Sequence, residues 1–165
     1  MIFALLPAWG LSNAAATMVG QALGAQKPDR AERAVKLAGI ANTAVLGLAG
    51  LVFIAFAPWI VGTFTSEPEP FRWGVLCLRI IGLGFPFYGY GMIVISAFNG
   101  AGDAWTPTWI NIGCFWLFEL PVAWWLSTHG LGPAGVFWAI AIAYSAVAVV
   151  GGFAFRRGRW KEMQV

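Results

Sequence analysis

Five stretches of this chain contain no Asp, Glu, Lys or Arg: residues 1–26, 37–66, 80–102, 104–118 and 120–155. A helix that crosses a bilayer needs about 20 mainly apolar residues at about 1.5 Å of rise each. The run 120–155 is long enough for the end of one helix, a turn and a whole second helix, with Gly130, Gly132 and Pro133 supplying the turn. The pattern predicts five helices, over about 3–25, 37–64, 73–98, 107–127 and 133–155. A membrane barrel would instead show alternating strands of about 10 residues, and the long unbroken runs argue against it. Composition agrees: 10% of residues are charged and 59% are hydrophobic, whereas soluble domains carry roughly 25% charged residues. The expected class is an all-α integral membrane protein.

Positive charge predicts the orientation. Lys27, Arg30, Arg33 and Lys36 follow the first helix, and Arg156, Arg157, Arg159 and Lys161 follow the fifth. Five crossings put these eight residues on one side, against Arg72 and Arg79 on the other. The basic side is expected to be cytoplasmic, in a bacterial inner membrane, with residues 156–165 as a basic cytoplasmic tail. The start of the chain then lies outside. Ala14-Ala15-Ala16 resembles a cleavage site, but no basic segment precedes the apolar run, so a signal peptide is not expected. The net charge of +3 comes from the two basic clusters, which suit topology and anionic lipid rather than nucleic acid.

The aromatic residues fit the same map. Trp59, Trp73, Trp105, Trp109, Trp124 and Trp125 fall near the expected helix ends, as interfacial belts do. Trp116 and Trp138 fall deeper, where packing is the plain reading. Cys77 and Cys114 lie within helices at no spacing that suggests a metal or redox pair. The single His129, in a short outer loop, has no cysteine or histidine partner in sequence. No phosphate-binding loop or catalytic motif appears, so no enzyme activity, metal or cofactor is expected.

Some residues break the apolar pattern. Glu119 lies twelve positions into the fourth helix, about 18 Å along it, past the middle of a membrane. A carboxylate at that depth is costly and faces a cavity or a partner. It is a candidate for binding and releasing a proton or a cation, and equally for a plain hydrogen bond between helices. Pro121, two residues on, loosens the helix there. Arg79, about two turns into the third helix, could snorkel to the outer interface or pair with Glu119, Glu67 or Glu69.

The third helix also holds Gly82, Gly84, Pro86, Gly89 and Gly91, interleaved with Phe85, Phe87, Tyr88 and Tyr90. Such a segment is expected to bend or to pack closely through its small residues; we read a bend at Gly82, Gly84, Pro86 and Gly89. Asn13, Thr17, Gly20 and Gly24 share one face of the first helix, and Asn42 and Thr43 add polar groups early in the second. Asn13, Thr17, Asn42 and Tyr88 join Glu119 and Arg79 as candidates for lining a substrate or ion cavity.

Several motifs together resemble those of the MATE (multidrug and toxic compound extrusion) transporters. Val19-Gly20-Gln21-Ala22-Leu23-Gly24-Ala25-Gln26-Lys27-Pro28-Asp29-Arg30-Ala31 is similar to the Gly-Gln-x-x-Gly-Ala run that ends the second helix of each lobe in that family. Asn99-Gly100-Ala101-Gly102-Asp103-Ala104-Trp105-Thr106-Pro107 resembles its loop between the fourth and fifth helices of a lobe. Leu78-Arg79-Ile80 with Pro86-Phe87, and Pro121 with Gly130-Leu131-Gly132-Pro133-Ala134-Gly135-Val136, are similar to its later helices. Physically, Gly20 and Gly24 permit close helix contact. Gly100, Gly102 and Pro107 permit a tight turn, and Asp103 can cap the next helix.

The resemblance implies that the five helices are most of the second six-helix lobe, helices eight to twelve of twelve. The chain would then be a C-terminal fragment or a truncated reading frame, lacking the first lobe as its partner. It implies efflux of small organic, often cationic, compounds in exchange for protons or sodium. In NorM-type members, acids on the first and fourth helices of the second lobe contribute to cation binding. The first of these helices is absent here, and residues 80–98 contain no acid. Glu119 therefore rests on its burial alone. A lipid-linked oligosaccharide flippase of related fold, or a membrane fragment that transports nothing, are the alternative readings.

Overall fold

The structure is a computed structural model that describes residues 2–162. It is helical almost throughout, and no strand occurs among the described residues. The helices are α1 (Ile2–Gly24), α2 (Pro28–Gly62), α3 (Pro68–Gly100), α4 (Trp105–Leu131) and α5 (Pro133–Arg156). A short 3₁₀ turn, Arg159–Glu162, follows. Helices α2 to α5 are each long and apolar enough to cross a membrane.

Two helices start earlier than the charge pattern predicts. α2 begins at Pro28 rather than 37, and α3 at Pro68 rather than 73. Both starts carry proline in the first turn, where its fixed φ suits a helix and its missing N–H costs nothing. Charge excludes a residue from the bilayer, not from a helix. The 35 residues of α2 span about 52 Å, against a hydrocarbon core of about 30 Å. Its first turns, bearing Asp29, Arg30, Glu32, Arg33 and Lys36, therefore stand outside the membrane.

α3 is the central helix, packed against α1, α2 and α5. Its glycines explain how. A Cβ on Gly82 would lie 2.9 Å from the Gly50 carbonyl oxygen, and one on Gly50 would collide with the backbone of Gly82. One on Gly89 would lie 2.8 Å from the Asn42 oxygen, and one on Gly84 would sit 3.0 Å from the Ala141 backbone. These backbones touch because nothing stands between them, which is how helices associate where no water drives them together. α3 runs unbroken through Gly82, Gly84, Pro86 and Gly89. Gly82, Gly84 and Gly89, read from sequence as a bend or as close packing, make helix contacts.

The two motif segments meet. A Cβ on Gly20 would lie 3.0 Å from the Gly100 carbonyl oxygen, and one on Gly100 would strike the backbone of Ala16. Gly24, expected to share this contact, has nothing within 4 Å. α1 ends just beyond it, with Gln26 in the left-handed region (φ 56°) and the Lys27 N–H donating to the Ala22 oxygen at 2.8 Å. Gln21 and Ala25 are exposed. At the start of α4, Asp103 accepts the Thr106 N–H at 3.0 Å, the expected cap, and Pro107 is buried in the first turns. Gly102 takes φ +79° in the turn between, a conformation that glycine adopts without strain.

Candidate functional site

α4 is irregular where the others are regular. Residues 105–111 and 120–126 are α-helical and 112–119 are π-helical, whereas 127–131 end the helix in a turn where His129 and Gly130 leave helical angles. The cause of the first irregularity is local. Pro121 has no N–H to offer the carbonyl of Leu117 four residues earlier. Widening the preceding turns to an i→i+5 register absorbs that loss within the helix. Glu119 is the last residue of the widened stretch.

Glu119 is half-buried, while its neighbours Trp116, Leu117, Phe118 and Leu120 point outward. Four and eight residues before it come Phe115 and Asn111, on the same face of the helix. These two line a cleft of about 350 Å³ with Tyr88, Met92 and Ile95 of α3 and Val147 of α5. Tyr88 stacks on Tyr144 of α5, with ring centres 4.3 Å apart and planes inclined at 27°. Two phenols and an amide thus lie where α3, α4 and α5 meet, and Glu119 lies eight residues beyond the amide on α4. A carboxyl group there can hold a proton or a cation, and the ring faces can hold an organic cation.

The other candidates lie elsewhere. Arg79 is exposed and pairs with none of Glu119, Glu67 and Glu69; among the described residues the ion pairs are Lys36–Glu32 and Lys161–Glu32. Thr17 donates to the Asn13 oxygen of its own helix at 3.0 Å, and both side chains are exposed. Asn42 is fully buried and donates from Nδ2 to the Gly89 oxygen at 2.8 Å, which ties α2 to α3. Its Oδ1 and the Ser12 hydroxyl are buried without a partner among the described residues.

Sequence reasoning missed Tyr144, Asn111 and Phe115. The four-residue spacing of Asn111, Phe115 and Glu119 was a usable signal. Tyr144, inside an apolar run, gave none until α5 was placed beside α3.

A bundle of long apolar helices closed by backbone contacts is the construction of a multi-pass membrane protein. The MatE family model matches residues 1–125, and the chain belongs to that family. It is 32% identical over 162 residues to a "Probable multidrug resistance protein NorM" of Pseudomonas syringae pv. tomato, covering 94% of this chain and 35% of that protein. It is 25% identical over 160 residues to a "Probable multidrug resistance protein YpnP" of Bacillus subtilis, covering 97% and 36%. Among solved structures, an inward-facing multidrug resistance MATE family transporter matches with a TM-score of 0.88 at 22% identity, covering 98% of this chain and 38% of that one. The Vibrio cholerae MATE transporter VcmN in its bent form matches with a TM-score of 0.86 at 23% identity, covering 94% and 35%. The likeness to these structures is one of fold. The chain spans about a third of the length of the relatives it matches.

Proposed function

We propose that this chain supplies most of one lobe of a multidrug efflux antiporter in the bacterial inner membrane. The lobe exports small organic, often cationic, compounds in exchange for protons or sodium. Alternating access comes from its rocking against a partner lobe around a midplane cavity. The basic ends of α1, α2 and α5, joined by the Glu32–Lys161 contact at 2.7 Å, face the cytoplasm.

The observation that carries this reading is Glu119, on a π-helical stretch beside the Tyr88–Tyr144 stack. Its carboxyl exchanges a proton or a sodium ion, and the aromatic cleft receives the drug. A π-helical turn can revert to α register, so the acid's surroundings can change between the two faces of the cycle.

The test is efflux of a cationic dye by a full-length transporter carrying this lobe, with Glu119→Gln. The variant should lower the efflux rate about tenfold or more and flatten its dependence on pH or sodium. Unchanged efflux across pH 6 to 8 makes Glu119 a structural residue and removes the lobe's own coupling site.

A further inference from the structure

A second cavity, of about 590 Å³, lies at the basic end between α3, the start of α4 and the segment after α5. Arg157, Arg159, Thr106 and Trp105 line it together with Asp103 and Phe98. We propose that it holds the phosphate of one anionic phospholipid of the adjoining leaflet, gripped by Arg157 and Arg159.

The arginines are held in place. Gly158 turns the chain with φ +75°, and Trp160 folds back to stack on Phe155 at 4.6 Å and 14°. Its indole N–H donates to the Phe155 carbonyl at 2.9 Å, and it is 1% exposed. Lys161 completes the return by pairing with Glu32 at 2.7 Å. Arg157 and Arg159 flank this turn, so their backbone positions are set while both side chains remain exposed to a ligand.

Among the described residues, neither arginine pairs with a carboxylate. Glu32 is taken by Lys36 and Lys161. Asp103, the acid in the cavity wall, is 8% exposed and directs one oxygen to the Thr106 N–H. Guanidinium groups without an ion pair among the described residues, in a cavity at the level of lipid headgroups, match a phosphate diester, which they grip in a fork. The apolar wall continues in the right direction for an acyl chain. Trp105 is 73% exposed, and Trp109, one helical turn deeper on the same face, is also exposed.

Binding is measured on the purified chain by native mass spectrometry, with phosphatidylglycerol and phosphatidylcholine compared at equal concentration. The chain should retain phosphatidylglycerol preferentially, and Arg157→Gln with Arg159→Gln should lower that retention about tenfold or more. Thr106→Val, which spares the charge, should lower it about threefold. Arg30→Gln with Arg33→Gln removes the same charge from the same end and should change retention by less than about twofold. Full retention by the Arg157/Arg159 double variant overturns the proposal. An equal loss in the Arg30/Arg33 control also overturns it, because the attraction is then diffuse. Displacement of the lipid by millimolar inorganic phosphate reassigns the cavity to a soluble anion.

Discussion

The α2–α3–α5 body and helix α4 are both apolar and both membrane-length, yet they are held by different means. In the body, Gly50 meets Gly82, Gly89 meets Asn42 and Gly84 meets Ala141, backbone against backbone. Each contact fixes two helices in rotation and in translation, since any Cβ there would force them apart. α4 leans mainly on α5 and touches α3 little. Its outward residues Trp116, Leu117 and Trp124 are exposed, and its 112–119 segment is π-helical. The body is a frame with one good packing solution. α4 departs from α register over 112–119, and it carries the half-buried acid Glu119. Close backbone packing and the candidate acid lie in different parts of the bundle.

Breaking the frame should have the largest effect. Gly82→Leu places a branched side chain where a Cβ already lies 2.9 Å from the Gly50 oxygen. Backbone cannot yield as a flexible side chain does, so the cost should be about 3 kcal/mol or more. The variant should appear in the membrane at a small fraction of the normal level and run as aggregate in size-exclusion chromatography. Gly24→Leu, with open space at its Cβ position, should behave as the parent. If the two variants behave alike, the close contacts do not hold the frame.

α4 should respond in the opposite sense. Pro121→Ala restores an N–H to the carbonyl of Leu117 and removes the reason for the π-helical stretch. The helix should become more regular, and the lobe more stable by about 1 kcal/mol, seen as a rise of a few degrees in melting temperature. Efflux by a full-length transporter carrying this lobe should fall, because Glu119 shifts around the helix by part of a turn. A variant that gains stability and keeps full efflux would separate the irregularity from transport.

The frame was far more legible in the sequence than the site. Helix number and order followed from charge-free runs, because the bilayer imposes a length and forbids charge. The two motif segments were visible as Gly, Asp and Pro at fixed intervals, and in space Gly20 and Gly100 lie against each other. The starts of α2 and α3 were misplaced because charge marks the limit of the bilayer, not of the helix. The glycines of α3 were ambiguous for a different reason: weak helix propensity and close packing call for the same residue, and only a neighbour's position decides between them. Glu119 stood out as an acid in an apolar run. Tyr88 was named beside it, but Tyr144 was not, since it lies 25 residues from Glu119 in sequence and meets Tyr88 only through the placement of α5 beside α3. The π-helical register could have been suspected from Pro121, but a proline alone equally allows a kink.

The smallest expected effect concerns how far the frame extends beyond the membrane. Glu32, on the first turns of α2, accepts from Lys36 and from Lys161, each at 2.7 Å. Lys161 belongs to the turn after α5, so this contact ties the chain's basic end to α2. The two ammonium groups, Lys161 foremost, hold the Glu32 carboxyl down at about 2, below its ordinary value of 4.5. A lowered value in the tied state means that the tie contributes fully above about pH 4.5, and that the contribution is lost as pH falls towards 2. Protection of the Arg156–Lys161 peptide bonds from an acid-tolerant protease should therefore be constant from pH 7 to about 5 and should decline below about 4.5. Glu32→Gln should abolish that decline while leaving Trp160 packed on Phe155, because the stack and the indole hydrogen bond involve no titrating group. The pair is solvent-accessible, so about 0.5 M salt should weaken the tie in the same way at neutral pH. If protection instead tracks Trp160→Ala and ignores both Glu32 and salt, the rigid frame ends at the aromatic stack and the ion pair is ornament on its surface.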